Sequence, residues 1–96
     1  MAPENTLAAF EAAIQEGVDL IEIDVHASRD GELVVIHDAS LDRTTDRIGA
    51  IAELPLALLR EADAGSWFDP KFADQRVPML TEVLDLARHR VPVLIE

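Results

Sequence analysis

Three short apolar segments, which alternate in part with stretches of helical spacing, place the strongest constraint on how this chain can fold. The segments cover residues 20–25, 33–37 and 91–96, and each is too short to be a typical helix. Apolar residues recur at helical spacing over residues 5–16, over 54–62 and again from 80 to 87. This alternation predicts an α/β fold with a mostly parallel sheet.

Several local signals predict where these elements begin and end. Asn5 or Thr6 can cap the first helix, and Gly17 suits the position just after it. Asp30 and Gly31 predict a tight turn between the first two strands. Residues 38–49 show no period, and we therefore expect a long loop with ordering or functional contacts.

The chain length limits how much of a fold these elements can complete. A closed barrel of alternating strands and helices takes about 250 residues, whereas this chain has 96. We therefore expect residues 1–96 to form one incomplete (β/α)8 barrel domain, with three parallel strands, three helices and exposed apolar strand edges. An alternative is a non-catalytic interaction module that pairs its exposed strands with another chain, including a second copy in a homo-oligomer.

Charge and hydropathy exclude other classes of protein. Eight Lys and Arg against nineteen Asp and Glu give a net charge of −11, which repels nucleic-acid phosphates. The longest apolar runs are far below the roughly 20 residues of a membrane span. No basic region followed by an apolar one marks a secretory signal near Met1. We expect no nucleic-acid partner, no membrane span and a cytoplasmic location.

Two carboxylates interrupt the first apolar segment at alternate positions. Period-two geometry puts Glu22 and Asp24 on one face of a strand, roughly 7 Å apart, with Ile21 and Ile23 on the other face. Carboxylates gathered in this way need protonation, a cationic partner or a bound metal, and hard oxygen ligands favour Mg²⁺ or Ca²⁺. The alternative is a polar strand face that is simply hydrated.

His37 and Glu96 each end an apolar segment, as Asp24 nearly does. Active sites of α/β sheets lie outside the carboxyl ends of the strands, so these side chains are expected to gather in one mouth. A single strand-terminal histidine is more often a hydrogen-bonding loop residue. Three carboxylates with one imidazole, however, suit metal-assisted displacement at phosphorus.

At this point the sequence resembles the glycerophosphodiester phosphodiesterase family, whose catalytic domain is a metal-dependent TIM barrel. Four blocks in the family's order carry the likeness and cover nearly the whole chain: residues 2–10 (APENTLAAF), 21–25 (IEIDV), 35–38 with 41–45 (VIHD and LDRTT), and 63–68 (DAGSWF) through 77–78 (VP) to the strand ending at residue 96.

The resemblance implies a function and a role for each site residue. Glu22, Asp24 and Glu96 would bind a divalent cation, Ca²⁺ or Mg²⁺, and His37 would be one of two catalytic imidazoles. The substrate would be a small glycerophosphodiester, hydrolysed to glycerol 3-phosphate and an alcohol such as choline or ethanolamine. Similar barrels cleave lysophospholipid or sphingomyelin head groups, which is a further possibility.

The sequence departs from the family pattern at both ends. The family's His-Arg-Gly motif precedes the block at residues 2–10, and only Met1 stands before that block here. A lysine normally lies two residues beyond the position of Glu96, and the later strands follow it. We therefore expect this chain to be the amino-terminal portion of such a domain, or a remnant, and to be inactive alone.

The remaining candidate residues are expected to be structural. Trp67 and Phe68 would pack near the mouth of the site, and Arg43 would form an ordering ion pair with Asp42 and Asp46. His26 and His89 are expected to be surface residues without a chemical role.

Overall fold

The computed structural model describes residues 1–96. Helix α1 spans Leu7–Gln15. Thr6 is its N-cap, and the Thr6 side chain accepts a hydrogen bond from the Ala9 amide at 3.2 Å. Gly17 follows the C-cap with a φ of +85°, a left-handed conformation that glycine adopts without a Cβ clash. The predicted boundaries of this helix are confirmed, with Thr6 rather than Asn5 as the cap.

The other helices follow the predicted pattern with one shorter than expected. Helix α2 is a single turn, Leu56–Leu59, and helix α3 spans Leu80–Ala87. Two 3₁₀ turns, Ile51–Glu53 and Pro70–Phe72, lie in the connections before and after α2. None of the helices is both long and apolar enough to cross a lipid bilayer.

Two strands pair in parallel, as predicted. Strand β1 spans Ile21–Ile23 and strand β4 spans Val93–Ile95, with Ile21 opposite Val93 and Ile23 opposite Ile95. Helices α1 and α3 pack together over the buried side chains of Ile21 and Ile23. The opposite face of β1 carries Glu22, which is exposed.

The second predicted strand does not join this parallel sheet, and that part of the prediction is wrong. Strand β2 (Val25–Ala27) pairs antiparallel with strand β3 (Leu33–Val35) in a separate two-stranded sheet. Only residues 28–32 connect them, with Gly31 at a φ of +83°. A parallel crossover needs about a dozen residues or more, so this short connection can only make a hairpin.

Strand β3 separates two hydrophobic clusters. Val34 is fully buried on one side of it, and Val35 is 1% exposed on the other. The cluster around Val34 fills the space beneath residues 36–64, whereas the cluster around Val35 joins α1, α3 and β1. The prediction that this strand is covered on both faces is confirmed, although the strand belongs to an antiparallel hairpin and not to a parallel sheet.

The edge of β4 is uncovered, as expected. Leu94 and Ile95 are 44% and 46% exposed, which is high for large apolar side chains within a strand. Each sheet contains only two strands. The outer edge of β4 therefore has no partner strand, and each face of the strand leaves an apolar side chain partly exposed.

Candidate active site

The carboxylates predicted to bind a metal lie at the end of the parallel ladder. The Glu96 amide donates to the Ile23 carbonyl at 2.9 Å, and the Val25 amide donates to the Glu96 carbonyl at 3.3 Å. In a parallel pair these two bonds set Glu96 opposite Asp24. Neighbouring strands lie about 4.8 Å apart, and paired residues present their side chains on the same face.

Glu22 occupies the same strand face two residues earlier. Ile21 and Ile23 are 5% and 1% exposed on the helix-covered face, so the intervening Glu22 lies on the open face and is exposed. Asp24 is half-buried. The backbone thus places Glu22 and Asp24 along one strand and Glu96 beside Asp24.

The side chains of these residues do not form an assembled ligand set. No three His, Cys, Asp or Glu side chains in the chain are grouped closely enough to hold an ion. The donors themselves are carboxylate oxygens, which are the ligands that Ca²⁺ and Mg²⁺ prefer. The donor chemistry therefore fits a hard divalent cation, and the backbone brings the three residues to adjacent positions.

His37 reaches the same end of the sheet by a different route from the predicted one. Because β3 runs antiparallel to β2, its carboxyl end returns to the point where β1 ends, and the Ile36 amide donates to the Asp24 carbonyl at 3.0 Å. The His37 carbonyl lies 3.1 Å from the His26 Nε2 atom. His37 is therefore next to Asp24, and His26 has a supporting contact that sequence reasoning missed.

The imidazole of His37 contacts the neighbouring acidic side chain. Its Nδ1 lies 2.9 Å from an Asp38 carboxylate oxygen, and this hydrogen bond raises the pKa of His37 above its ordinary value. The nearby negative charge of Asp24 acts in the same direction. Hydrogen bonds from Arg43 and His37 hold the pKa of Asp38 well below its usual range, so this carboxylate stays ionised.

Arg43 forms ion pairs, but with different partners from those predicted. Its guanidinium contacts Glu4 and Asp38, with N–O distances from 2.8 to 3.0 Å. The Asp42 carboxylate instead accepts from the Gly49 amide at 3.1 Å, and the Asp46 carboxylate accepts from the Asp63 amide at 2.8 Å. The prediction of an Arg43 pair with Asp42 and Asp46 is therefore wrong.

We call Glu4, His37, Asp38 and Arg43 the mouth cluster. Sequence reasoning treated Glu4 and Asp38 only as parts of motifs, and the available signal was a His-Asp dipeptide followed five residues later by arginine. A small cavity of about 10 Å³ lies beside the cluster, which is roughly enough space for one water molecule. Its lining includes Glu4, Asn5, His37, Thr44 and Ala64.

The aromatic loop lies next to this cavity through Ala64. The Trp67 indole donates to the Ala64 carbonyl at 3.0 Å, and its ring meets Phe68 edge to face at a centroid distance of 5.8 Å. Trp67 and Phe68 remain 43% and 37% exposed. The rings therefore pack on their own loop, near the cavity as expected, without being buried in the core.

Comparison with known proteins places this architecture in a family. The model of the glycerophosphoryl diester phosphodiesterase family matches residues 1–96. A glycerophosphodiester phosphodiesterase from Caldanaerobacter subterraneus is 49% identical over 84 residues, covering 88% of this chain and 35% of that protein.

Solved structures agree with the family match. A glycerophosphodiester phosphodiesterase from Agrobacterium tumefaciens superposes with a TM-score of 0.96 and 46% identity, covering 99% of this chain and 41% of that one. An Oleispira antarctica phosphodiesterase, solved with its product sn-glycerol-3-phosphate, gives a TM-score of 0.94 and 41% identity, covering 98% of this chain and 38% of that one.

The fold corresponds to part of the TIM barrel of these solved phosphodiesterases. The chain belongs to the glycerophosphoryl diester phosphodiesterase family. It spans between 35% and 41% of the length of the three relatives described. The predicted family and fold class are thereby confirmed.

Proposed function

We propose that this chain supplies part of the active site for metal-dependent hydrolysis of glycerophosphodiesters to glycerol 3-phosphate and an alcohol. The relatives carry names for this activity, and the Oleispira protein was solved with glycerol 3-phosphate. The Caldanaerobacter and Agrobacterium names specify the diester, which is why we favour this substrate over lysophospholipid or sphingomyelin head groups.

The observation that carries the proposal is the double contact of Asp24. The ladder pairs Asp24 with Glu96, and the Asp24 carbonyl accepts the amide that immediately precedes His37. One backbone position therefore joins the acidic residues to the imidazole. This arrangement supports the proposal that a metal ion and a proton-transfer group act together on one bound substrate.

In this proposal Glu22, Asp24 and Glu96 hold Ca²⁺ or Mg²⁺. When bound, the cation would offset the negative charge of the phosphodiester, which this acidic chain would otherwise repel. The net charge of −11 favours such compensation when the substrate is an anion.

His37 would move the proton. Hydrolysis breaks one phosphorus–oxygen bond, and water supplies hydroxide to phosphorus and a proton to the departing alcohol. With Nδ1 held by Asp38, the Nε2 atom of His37 is the nitrogen that can protonate the alcohol oxygen or accept the nucleophile's proton. The family pattern uses a second imidazole in the His-Arg-Gly motif, so we propose that the 96-residue chain alone has no turnover.

A chimera tests this function. Residues 1–96 would replace the matching segment of the Agrobacterium enzyme, and release of glycerol 3-phosphate from glycerophosphocholine would be measured with Ca²⁺ or Mg²⁺. We expect activity, with a loss on the order of 10²-fold or more in kcat for His37→Ala because general acid–base catalysis contributes about that much. His89→Ala, which alters an exposed histidine beyond α3, should leave activity unchanged.

Three results would count against the proposal. A folded chimera without activity would refute the substrate assignment, and faster cleavage of lysophosphatidylcholine or sphingomyelin would transfer it to those substrates. Wild-type turnover in His37→Ala would remove this imidazole from the mechanism.

Size-exclusion chromatography of the 96-residue chain tests the separate expectation that the exposed edge of β4 pairs with a second copy.

A further inference from the structure

One guanidinium in the mouth cluster bridges two parts of the chain that are distant in sequence. Arg43 donates from both terminal nitrogens to Glu4, at 2.9 and 2.8 Å. It also donates to Asp38 from Nε at 2.9 Å and from a terminal nitrogen at 3.0 Å. Because a guanidinium has five N–H donors, this side chain has four of them committed to carboxylates.

This arrangement argues against a direct role for Arg43 in binding phosphate. Two carboxylates surround one cation, so Glu4, Asp38 and Arg43 together carry a net charge of −1 at neutral pH. An incoming phosphodiester would have to displace a bidentate partner that already matches the guanidinium fork. The geometry favours a role within the protein over a role as an anion receptor.

Arg43 and its partner Glu4 each lie next to residues that are buried in the fold. Glu4 follows buried Pro3, and the Thr6 hydroxyl donates to the Pro3 carbonyl at 2.7 Å just before α1 begins. Arg43 itself precedes buried Thr44. The guanidinium thus connects the entry of α1 to the loop that follows β3.

Asp38 links this bridge to the imidazole. One carboxylate oxygen of Asp38 contacts both Arg43, at 3.0 Å, and the Nδ1 of His37, at 2.9 Å. An ionised carboxylate can only accept hydrogen bonds, so Nδ1 must carry the proton in this contact. Nε2 of His37 makes no hydrogen bond within the chain and is the nitrogen left for a ligand.

We propose that Arg43 is a positioning residue: by bridging Glu4 and Asp38 it fixes the Asp38 carboxylate against Nδ1 and so presents Nε2 of His37 to the substrate. The catalytic part of this inference rests on the proposed function of His37. The tautomer that it assigns to His37 does not depend on activity.

The direct test is ¹⁵N NMR of the full 96-residue chain, recorded at a pH where His37 is neutral. The wild-type chain should show His37 protonated on Nδ1, and Arg43→Gln should shift it towards the Nε2-protonated form. Arg47→Gln is the matched control because Arg47, four residues away, has only longer ion pairs, of 3.8 and 3.9 Å, with Asp46 and Glu61.

Arg43→Lys provides a second variant that keeps the positive charge. A lysine ammonium cannot span both carboxylates with the planar fork of arginine, so its effect on the tautomer should fall between wild type and Arg43→Gln. A wild-type tautomer in both folded variants, with folding checked by circular dichroism, would overturn the proposal. So would a wild-type chain with His37 protonated on Nε2.

Kinetics in the chimera separate positioning from substrate binding. Arg43→Gln should lower kcat by about tenfold or more, the effect of losing a hydrogen bond to a charged group. KM and inhibition by inorganic phosphate should stay unchanged in Arg43→Gln. In the Arg47→Gln control, kcat, KM and inhibition by phosphate should all stay unchanged. A rise in KM and weaker inhibition by phosphate at constant kcat would show that Arg43 touches the substrate, and would refute the positioning role. If the unsubstituted chimera is inactive, the proposed function fails while the NMR result still decides the inference.

Discussion

Replacement of Leu41 by alanine should loosen the loop that carries Asp38 and Arg43 of the mouth cluster. Leu41 lies between Asp38 and Arg43, and its side chain is 1% exposed. It packs in the same cluster as Ile36 and Ile51. Its amide donates to the Gly49 carbonyl at 2.9 Å, which closes the loop on itself. Leu41 therefore anchors this loop to the core.

The magnitude of the effect follows from the complete burial of Leu41. Burying a leucine side chain contributes about 1.5–3 kcal/mol, and the cavity left by truncation adds to the loss, so Leu-to-Ala changes in cores cost about 2–5 kcal/mol. We expect Leu41→Ala to lower the free energy of unfolding by about 3 kcal/mol. For a domain of this size, that corresponds to a fall in Tm of roughly 12–24 °C.

Urea denaturation of the full chain, followed by circular dichroism at a fixed protein concentration, measures this loss. The matched control is Ile48→Ala in the same loop, where the side chain is 78% exposed. Exposed substitutions usually change stability by about 0.5 kcal/mol or less. Equal midpoints for Leu41→Ala and Ile48→Ala would show that Leu41 does not anchor the loop, and the argument from burial would be refuted.

Two further predictions concern the mouth and its aromatic loop. The Asp38 hydrogen bond raises the pKa of His37 above its unfolded value of 6.5, so its stabilising effect is fully present below pH 6.5 and is lost as pH rises through the folded pKa. An NMR titration should place the His37 pKa above 6.5 and lower it in Asp38→Asn; the same pKa in both proteins would refute the assigned cause. Gly65→Ala would put a Cβ atom 1.9 Å from the Phe72 carbonyl oxygen, and such overpacking costs about 1–3 kcal/mol. Urea denaturation should show that loss, and a wild-type midpoint would mean that the loop tolerates a side chain at this position.

The helices and the acidic strand face could be predicted because each depends on local patterns. The capping residue Thr6 and the glycine at position 17 mark the start and the end of α1 in the sequence, and they do so in the structure as well. Alternate positions placed Glu22 opposite the buried isoleucines of β1. The pairing of Glu96 with Asp24 also follows from the expectation that parallel strands end together.

The hairpin was missed although the sequence contained its signal. The apolar segments at 20–25 and 33–37 looked like neighbours in a parallel sheet, yet the connection between them is too short for a crossover. The sequence contains no signal for the interruption at Asp24, where β1 ends and β2 begins. The alternation of apolar and polar residues continues through this position while the chain passes from one sheet to the other.

The partners of Arg43 depend on tertiary structure. Proximity in sequence favoured Asp42 and Asp46 as partners. Both of these carboxylates instead accept hydrogen bonds from backbone amides. Glu4 lies 39 residues from Arg43 in the sequence. No local rule predicts a contact over that separation.

The proposed metal site consists of carboxylates on or just after β1 and β4, those of Glu22, Asp24 and Glu96, beside His37. Mn²⁺ tests it directly, because it prefers carboxylate oxygens and its unpaired electrons broaden the NMR signals of nearby nuclei. Added Mn²⁺ should broaden the His37 imidazole signals of the full chain well before those of His89. Asp24→Asn should abolish that selectivity, and Asp85→Asn, an exposed carboxylate on α3, should preserve it. Equal broadening of His37 and His89, or the same selectivity without the Asp24 carboxylate, would contradict the account.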